Sequence, residues 1–204
     1  MSDMKLIKLK DLPDDFRVGL EDRFRLKLFK NAIKKVGNLS LLAKQLNISR
    51  TTLLGMAKGY EKNRKRFIKI SLLRELSNIT SIPLEIIEKN IKELIAGKVS
   101  IKIRLPIVAK DELASLVGHV FGDGYIKKNG EQFQFFNKDL ELIKEVKESI
   151  KSIFGVEVNE HLRKNPKIFE LYIPSTIAKI LIFLGAPQGK KNYTNSSCTK
   201  LDKK

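Results

Sequence analysis

The sequence predicts an α+β protein in which an all-helical bundle with a helix-turn-helix precedes one αββαββα repeat built on an antiparallel saddle sheet. Apolar residues recur every three or four positions through much of 21–94, which is the period of amphipathic helices. Within 125–173 they alternate with polar residues, as in paired strands. The 204 residues have room for two small domains. We expect a helical domain over 1–96, a linker over 97–110, a mixed domain over 111–191 and an irregular tail over 192–204.

Residues 39–59 carry the pattern of a helix-turn-helix. The small Ala43 falls where two helices would cross, and Leu42 and Leu46 fall on the inner side. Asn47 takes the turn position, because asparagine tolerates the left-handed backbone conformation that such a turn requires. This segment therefore predicts two short packed helices.

The second of these helices is a candidate for contacting DNA. Ser49 is suited to cap it, and the first turn of such a helix meets base edges in the major groove. A basic run follows and could contact phosphates. The candidate DNA-binding residues of this half are Arg50, Thr51, Thr52, Lys58, Arg64, Lys65 and Arg66. The alternative is a plain helical hairpin whose charges form only a solvated surface.

Further helices are predicted on both sides of the helix-turn-helix. Their ranges are about 21–36, 67–76 and 84–94, with a turn at 81–83 in which Pro83 is suited to the first helical position. Residues 96–106 alternate apolar and polar side chains, so they form either a linker or an additional strand.

One later helix carries the most specific pattern in the chain. Ala114, Gly118 and Gly122 are spaced by four, so this helix would have a ridge almost without side chains. Each interior glycine costs about 1 kcal/mol relative to alanine, and close approach of a second helix backbone would offset that cost. Gly124 is expected to end the helix in the left-handed conformation, which leaves Asp123 in the last turn.

Asp123 is a candidate metal ligand. The partial negative charge at a helix C-terminus disfavours a carboxylate by roughly 0.3–1 kcal/mol, and a bound divalent cation would reverse that effect. Mg²⁺ is the hypothetical cation, since it is usually held by one or two carboxylates together with water and phosphate oxygens. The alternative is that Asp123 is a solvated carboxylate where the helix stops.

The elements that follow have a regular order. An Asn-Gly pair at 129–130 between alternating segments is a strong hairpin signal. The later predicted elements are a helix over 138–154 closed by Gly155, strands over 156–162 and 168–173, and a helix capped by Ser175 and running to Leu184. The order over about 111–190 is thus α-β-β-α-β-β-α.

This order, together with Gly-Asp-Gly-Tyr-Ile at 122–126, resembles one repeat of the LAGLIDADG (dodecapeptide) homing endonucleases. The resemblance implies that the ridge of Ala114, Gly118 and Gly122 packs against a second such helix. It also implies that Asp123 binds metal beside double-stranded DNA, and that Lys190 or Lys191 stabilises charge near the active site. The sheet residues implied as DNA contacts are Lys127, Lys128, Gln132, Gln134, Asn137, Arg163 and Lys164.

The segment departs from the family pattern in several ways. His119 and Phe121 replace an apolar residue and an acid of the idealised motif, although the metal-binding position is kept. Only one signature helix is present, so either two chains form a homodimer through the ridge or a second half has been lost. Residues 192–204 show no apolar period where the family continues with another helix.

Composition favours a nucleic-acid partner. Lys and Arg total 40 against 23 Asp and Glu, which gives a net charge of +17 and a sequence pI near 9.9. No apolar run approaches the roughly 20 residues that span a bilayer, and no signal peptide is evident at the N-terminus. The single Cys198 fits a reducing cytoplasm. With only His119 and His161, no Cys/His metal cluster is predicted.

The sequence leaves three functions open. The first is a metal-dependent, site-specific DNA endonuclease, with its acids supplied by a homodimer. The second is a DNA-binding regulator, or a decayed endonuclease, that does not cleave. The third is an RNA-binding intron maturase, which the helix-turn-helix disfavours.

Overall fold

The computed structural model describes residues 6–61, 64–108, 111–164 and 167–189. Over these ranges the protein is mixed α+β, with eight α-helices and antiparallel strand pairing throughout. The chain divides into two compact units, one of residues 1–96 with 100–108 and one of 97–99 with 109–204. Within the described ranges, no helix has the length and apolar character needed to cross a membrane.

The first unit combines five helices with short strands. The helices are α1 (Asp22–Val36), α2 (Leu39–Gln45), α3 (Arg50–Lys58), α4 (Ile70–Thr80) and α5 (Leu84–Lys89), with a 3-10 turn at Leu9–Asp11. The strands are β1 (Leu6–Ile7), β2 (Arg17–Leu20), β3 (Tyr60–Glu61), β4 (Arg64–Lys65), β5 (Ile68–Lys69), β6 (Ile91–Ile95), β7 (Ile101–Lys102) and β8 (Ile107–Val108). One sheet has the order β5-β2-β6-β7, while β1 pairs with β8 and β3 pairs with β4.

The expectation of an all-helical first half is wrong. The segment predicted as one helix over 84–94 is α5 followed by β6, and α5 ends with Asn90 as its C-cap. Leu94 in β6 pairs with Val18 in β2, and both side chains are fully buried. The spacing of apolar residues fits either element, and burial against a strand far away in sequence decides for β6. The residues expected to form a linker or an additional strand contain β7, and β8 follows directly after them.

Helices α2 and α3 are two short helices that pack on each other, as expected. Leu42, Ala43, Leu46 and Leu53 are all buried. Asn47 has φ +50°, the left-handed conformation expected at the turn. The Ser49 hydroxyl accepts a hydrogen bond from the Thr52 backbone N–H at 3.1 Å. The predicted roles of Asn47 and Ser49 are therefore confirmed.

Ser49→Ala tests how much this cap contributes. Losing an N-cap hydroxyl typically costs about 1 kcal/mol, and we expect the melting temperature of the first unit to fall by roughly 4–8 °C. Thermal unfolding followed by circular dichroism measures this. Ser40→Ala is the control, since Ser40 is an exposed residue inside α2 and should change stability by less than about 0.5 kcal/mol. Equal effects of both changes would show that the cap is not what stabilises α3.

The second unit has the predicted order of elements. They are α6 (Asp111–Phe121), β9 (Gly124–Ile126), β10 (Phe133–Asn137), α7 (Leu140–Phe154), β11 (Glu160–Arg163), β12 (Ile168–Ile173) and α8 (Ser175–Phe183). The strands form one antiparallel sheet in the order β11-β12-β10-β9. The Asn-Gly pair lies in the β9–β10 turn with Gly130 at φ +67°, and Gly155 ends α7 at φ +65°. Both local predictions are confirmed.

The predicted cap of α8 is wrong. Pro174 is the N-cap residue, and Ser175 is the first residue of the helix. The Ser175 hydroxyl instead accepts from the backbone N–H of Lys98 at 3.1 Å, and the Thr176 hydroxyl donates to the carbonyl of Val99 at 2.5 Å. A Cβ at Gly97 would lie 2.2 Å from Ser175 Oγ. Residues 97–99 are therefore held closely against the start of α8.

The sheet of the second unit has one buried face. Phe133 and Phe135 of β10 and Leu171 of β12 are fully buried, and helix α7 contacts both strands. Side chains that alternate with these, such as Gln134 and Tyr172, remain partly exposed. Since neighbouring residues of a strand face opposite sides of the sheet, these form a second, open face.

Candidate nucleic-acid interface

Helix α6 exposes its ridge of small residues. Leu113, Leu116 and Val120 are buried, whereas Ala114 and Gly118 lie on the exposed side. No described atom lies within 4 Å of a Cβ built at Gly118, helix backbone aside. The ridge, which Gly122 continues as an exposed residue, is therefore open to another chain or to solvent.

Gly124 has a different role from the one predicted. It is the first residue of β9, paired with Phe135, and it is absent from the glycines with positive φ. A Cβ at this position would lie 2.8 Å from the Cα of Val120 and 3.2 Å from the ring of Phe133. The glycine is required because β9 starts so close to α6, not because of left-handed backbone geometry.

Asp123 is not in the last turn of the helix, as was expected, but lies between the end of α6 and the start of β9, with its side chain exposed. Asn137, at the end of β10, donates from Nδ2 to Asp123 Oδ2 at 2.7 Å. The Oδ1 atom of Asn137 accepts from the backbone N–H of Asp139 at 2.8 Å, which fixes the orientation of the amide. The backbone N–H of Phe136 also donates to the carbonyl of Asp123 at 3.4 Å. The carboxylate is thus held in place by β10.

In the described part of the chain, Asp123 is the candidate metal ligand. Among the described residues, no group of three or more His, Cys, Asp or Glu could hold a metal ion. Asp123 Oδ2 accepts from Asn137, which leaves Oδ1 as the oxygen that could bind a cation. Mg²⁺ is commonly held by one or two carboxylates with water and phosphate completing its shell. Asp123 therefore fits the role of a single protein ligand, to be completed by phosphate, water or a second chain.

Glu170 lies at the centre of the open face of the sheet. It is only 1% exposed, and its Oε1 accepts from Gln134 Nε2 at 2.6 Å while its Oε2 accepts from Arg163 Nε at 2.7 Å. The Arg163 guanidinium lies 5.3 Å from the centre of the Phe136 ring. Hydrogen bonds to Glu170 and then to Tyr172 raise the pKa of Arg163, so it remains a cation.

Sequence reasoning missed the aromatic residues of this face. Tyr125, Gln134 and Tyr172 lie side by side on three neighbouring strands, and the two tyrosines are 38% and 45% exposed. The ring of His161 packs edge-on against Tyr172 at 5.4 Å. Successive residues of a strand face opposite sides of the sheet, so the positions of Gln134 in β10 and Tyr172 in β12 were the signal that could have placed these residues here.

The other predicted contacts of the second unit lie near the ends of strands. Lys127, Lys128 and Lys164 are exposed, and Gln132 is half-buried in the β9–β10 turn. Lys190 and Lys191 lie outside the described residues. The last described residue, Gly189, donates its N–H to the carbonyl of Ile126 at 2.7 Å, so the chain reaches this point beside the edge strand β9.

In the first unit, α3 presents the predicted residues unequally. Arg50, Thr51 and Lys58 are exposed, and Leu54 between them is 41% exposed. Thr52 is half-buried, and its hydroxyl accepts from Ser49 at 2.8 Å. Thr52 therefore serves the cap, while the other residues form the outer surface of α3.

The basic run after α3 is also divided. Lys65 forms an ion pair with Glu93 and lies 6.0 Å from the ring of Phe67, so its charge is partly compensated. Arg66 is exposed, and its backbone N–H donates to the carbonyl of Gly59 at 2.9 Å. The backbone of Arg64 lies in β4. Lys58 and Arg66 are both exposed and stay candidates for phosphate contacts.

A second basic surface was not predicted. Arg23, Lys27, Lys30 and Lys34 are exposed on α1, and their spacing of four, three and four puts them on one face of the helix. No acidic residue occupies this face of α1. The spacing was readable in the sequence, and it extends the positive surface of the first unit beyond α3.

Buried Arg25 connects α1 to the end of α3. Its guanidinium donates from Nε to the carbonyl of Ala57 at 3.2 Å and from Nη2 to the carbonyl of Lys58 at 3.0 Å. A cation at a helix C-terminus is stabilising, because it satisfies the last carbonyls and opposes the helix dipole. A Cβ at Gly59 would lie 2.3 Å from Arg25 Cζ, so the glycine makes room for this contact.

Comparisons with known proteins give one distant similarity. No family model matches the chain, and no solved structure matches it. The chain is similar to the replicative DNA helicase DnaB of Synechocystis sp., with 26% identity over 174 residues. The match covers 84% of this chain but 18% of the helicase, so the chain spans less than a fifth of that protein's length.

Proposed function

We propose that this chain is a site-specific DNA-binding protein of homing-endonuclease type, in which a helix-turn-helix domain precedes one LAGLIDADG-like repeat. The observation that carries the proposal is the placement of Asp123. This exposed carboxylate follows a helix with an open ridge and is held by Asn137, on the sheet whose open face carries Gln134 and Arg163.

Charge supports double-stranded DNA as the partner. The net charge is +17, and the exposed basic residues of α1 and α3 extend along helix surfaces of the first unit. Phosphate contacts supply most non-specific affinity for DNA, and each contact steepens the dependence of binding on salt. We therefore expect tight binding to duplex DNA that weakens steeply as salt rises.

Cleavage requires two copies of the site. One chain has one Asp123, and pairing through the α6 ridge would bring a second Asp123 to the same place. A divalent cation bound there would polarise the scissile phosphate and lower the pKa of a bound water. In each copy, Asn137 holds the carboxylate, and the open face of the sheet places the duplex beside it.

The side chains beside the ridge are apolar and could pack against a second helix. Phe121 is 44% exposed and Val117 is half-buried, and both lie beside Ala114 and Gly118 on the helix surface. Small residues allow two helix backbones to approach closely, and an exposed aromatic side chain beside them is typical of an interface. This favours a homodimer through α6.

A direct experiment tests the proposal. The purified full chain is incubated with a random duplex library, with and without Mg²⁺, and binding, cleavage and molecular mass are measured. The proposal expects duplex preferred over single strands and structured RNA, two chains per site and cutting at rare sequences. Equal affinity for all polyanions would overturn site-specific DNA binding, and preference for structured RNA would favour the maturase function.

A non-cleaving regulator is the second candidate. It is favoured by the exposed basic residues of α1 and α3, which could bind DNA without a metal. A strict monomer that binds duplex selectively and does not cut with Mg²⁺ or Mn²⁺ would establish it in place of the nuclease.

Gly118→Leu tests pairing. A leucine on the ridge would keep two helix backbones apart, so we expect the mass in solution at micromolar concentration to fall from two chains to one, with cleavage lost and DNA binding kept. Leucine favours helices more than glycine does, so α6 should not unfold. Glu112→Leu, an exposed change off the ridge, should leave the mass unchanged. A dimeric Gly118→Leu variant would show that the ridge is not the interface.

A further inference from the structure

Glu170 is a buried carboxylate on a face that is otherwise partly exposed. Burial of a charge is costly unless the charge is paired and hydrogen-bonded. Both oxygens of Glu170 meet this condition, one through Gln134 and the other through Arg163. The carboxylate therefore joins β12 to the strands on either side of it, through two residues that the proposed function places against DNA.

This bonding leaves Arg163 able to recognise a base. A guanidinium has five N–H donors, and Glu170 takes the Nε donor. The guanidinium also lies over the Phe136 ring, 5.3 Å from the ring centre. At least two donors remain, which is what paired hydrogen bonds to O6 and N7 of guanine require.

The same carboxylate fixes Gln134. Its Nε2 donates one hydrogen to Glu170, which leaves one N–H and the Oε1 acceptor. That donor and acceptor pair matches N7 and N6 of adenine in the major groove. Since Gln134 and Arg163 both bond the Glu170 carboxylate, their free donors and acceptors lie close enough together to contact neighbouring base pairs.

We propose that Glu170 is a positioning residue that sets sequence specificity, by holding Arg163 to read guanine and Gln134 to read adenine. The inference rests on the proposed DNA-binding function and adds the bases that the sheet selects. Glu170 itself does not touch DNA. Its removal should therefore change which sequences are bound more than how tightly DNA in general is bound.

Glu170→Gln tests this role in the full chain. Bound duplexes are selected from a random library, and affinity for the best site and its guanine and adenine variants is measured across salt concentrations. We expect discrimination at these positions to fall about 10-fold, in the range of one paired side chain–base contact. Affinity for unrelated duplex should stay equal or rise, because the variant has one negative charge fewer.

Two further variants separate positioning from stability. Glu160 lies in β11 of the same sheet and pairs with Lys147 of α7. The variant Glu160→Gln removes its carboxylate and should leave the selected DNA sequence unchanged. Arg163→Lys keeps the charge at an exposed position but loses the planar donor pair, so it should lose the same guanine preference. When Arg163→Lys is combined with Glu170→Gln, discrimination at the guanine position should fall little further, because both changes remove the same contact of Arg163 with guanine.

The outcomes distinguish the two proposals. A chain that binds no duplex overturns the proposed function and this inference with it. A sequence-selective chain whose base preference survives in both Glu170→Gln and Arg163→Lys overturns this inference alone. If Glu170→Gln instead loses affinity equally for all sequences and its melting temperature falls strongly, Glu170 has only a structural role and the inference fails. Should that variant not fold at all, unchanged guanine preference in Arg163→Lys overturns it.

Discussion

The substitution Asp123→Asn is expected to abolish most cleavage while leaving DNA binding intact. Asparagine keeps the size of the aspartate side chain, and its amide oxygen can still accept from Asn137, so the local structure should persist. What is lost is the negative charge that would hold a cation beside the scissile phosphate. We expect a loss of roughly 100-fold or more in cleavage rate, the size of effect seen when one preorganised electrostatic group is removed.

Single-turnover cleavage of a selected site in Mg²⁺, with binding measured in parallel, checks this expectation. Asp139→Asn is the matched control, because it removes the same charge at the N-cap of α7 and asparagine caps as well as aspartate. The control should cut like the unaltered chain. If Asp123→Asn cuts equally well, Asp123 is not a metal ligand and the proposed active site is wrong.

Gly124→Ala is expected to have the largest effect on stability. The added Cβ would lie 2.8 Å from the Cα of Val120, and a backbone atom cannot move aside as a flexible side chain can. Overpacking of this kind costs about 1–3 kcal/mol. We expect the second unit to melt roughly 10 °C lower, and cleavage to fall because the neighbouring Asp123 shifts with the strand.

Gly118→Ala provides the control for this change. No described atom lies within 4 Å of its added Cβ, helix backbone aside, and alanine favours a helix over glycine by about 1 kcal/mol. The variant should therefore melt at the same temperature or higher. If calorimetry shows both variants to be equally destabilised, close approach of β9 to α6 is not what requires Gly124.

The parts of the fold that could be predicted from sequence depend on local signals. The Asn-Gly pair of the β9–β10 turn, Gly155 after α7 and the alternation of β10 each act within a few residues. Strand β6 could not be distinguished from a helix, because its apolar spacing fits both and its partner Val18 lies far away in sequence. Non-local pairing thus decided the architecture of the first unit.

The candidate site shows the same division. The ridge of α6 could be predicted, because glycine spacing is a local feature. The predicted end of the helix was wrong, since α6 ends at Phe121 and Gly124 starts β9. Asn137 was recognised only as a possible DNA contact, and its hydrogen bond to Asp123 depends on how β10 meets the end of α6. Glu170 carries no sequence signal of its own, since only the assembled sheet brings Gln134 and Arg163 to it.

The hydrogen bonds between the start of α8 and residues 97–99 affect where the chain can be cut into fragments that fold. Neither unit is a continuous stretch of sequence, because the chain visits the second unit at 97–99 and returns to the first for 100–108. A fragment ending at Ala96 would take β7 away from the sheet of the first unit, and one starting at Asp111 would leave Ser175 without its bond to Lys98. A chimaera that exchanges one unit would therefore need more than one crossover point between 96 and 109, because the chain passes between the units there more than once.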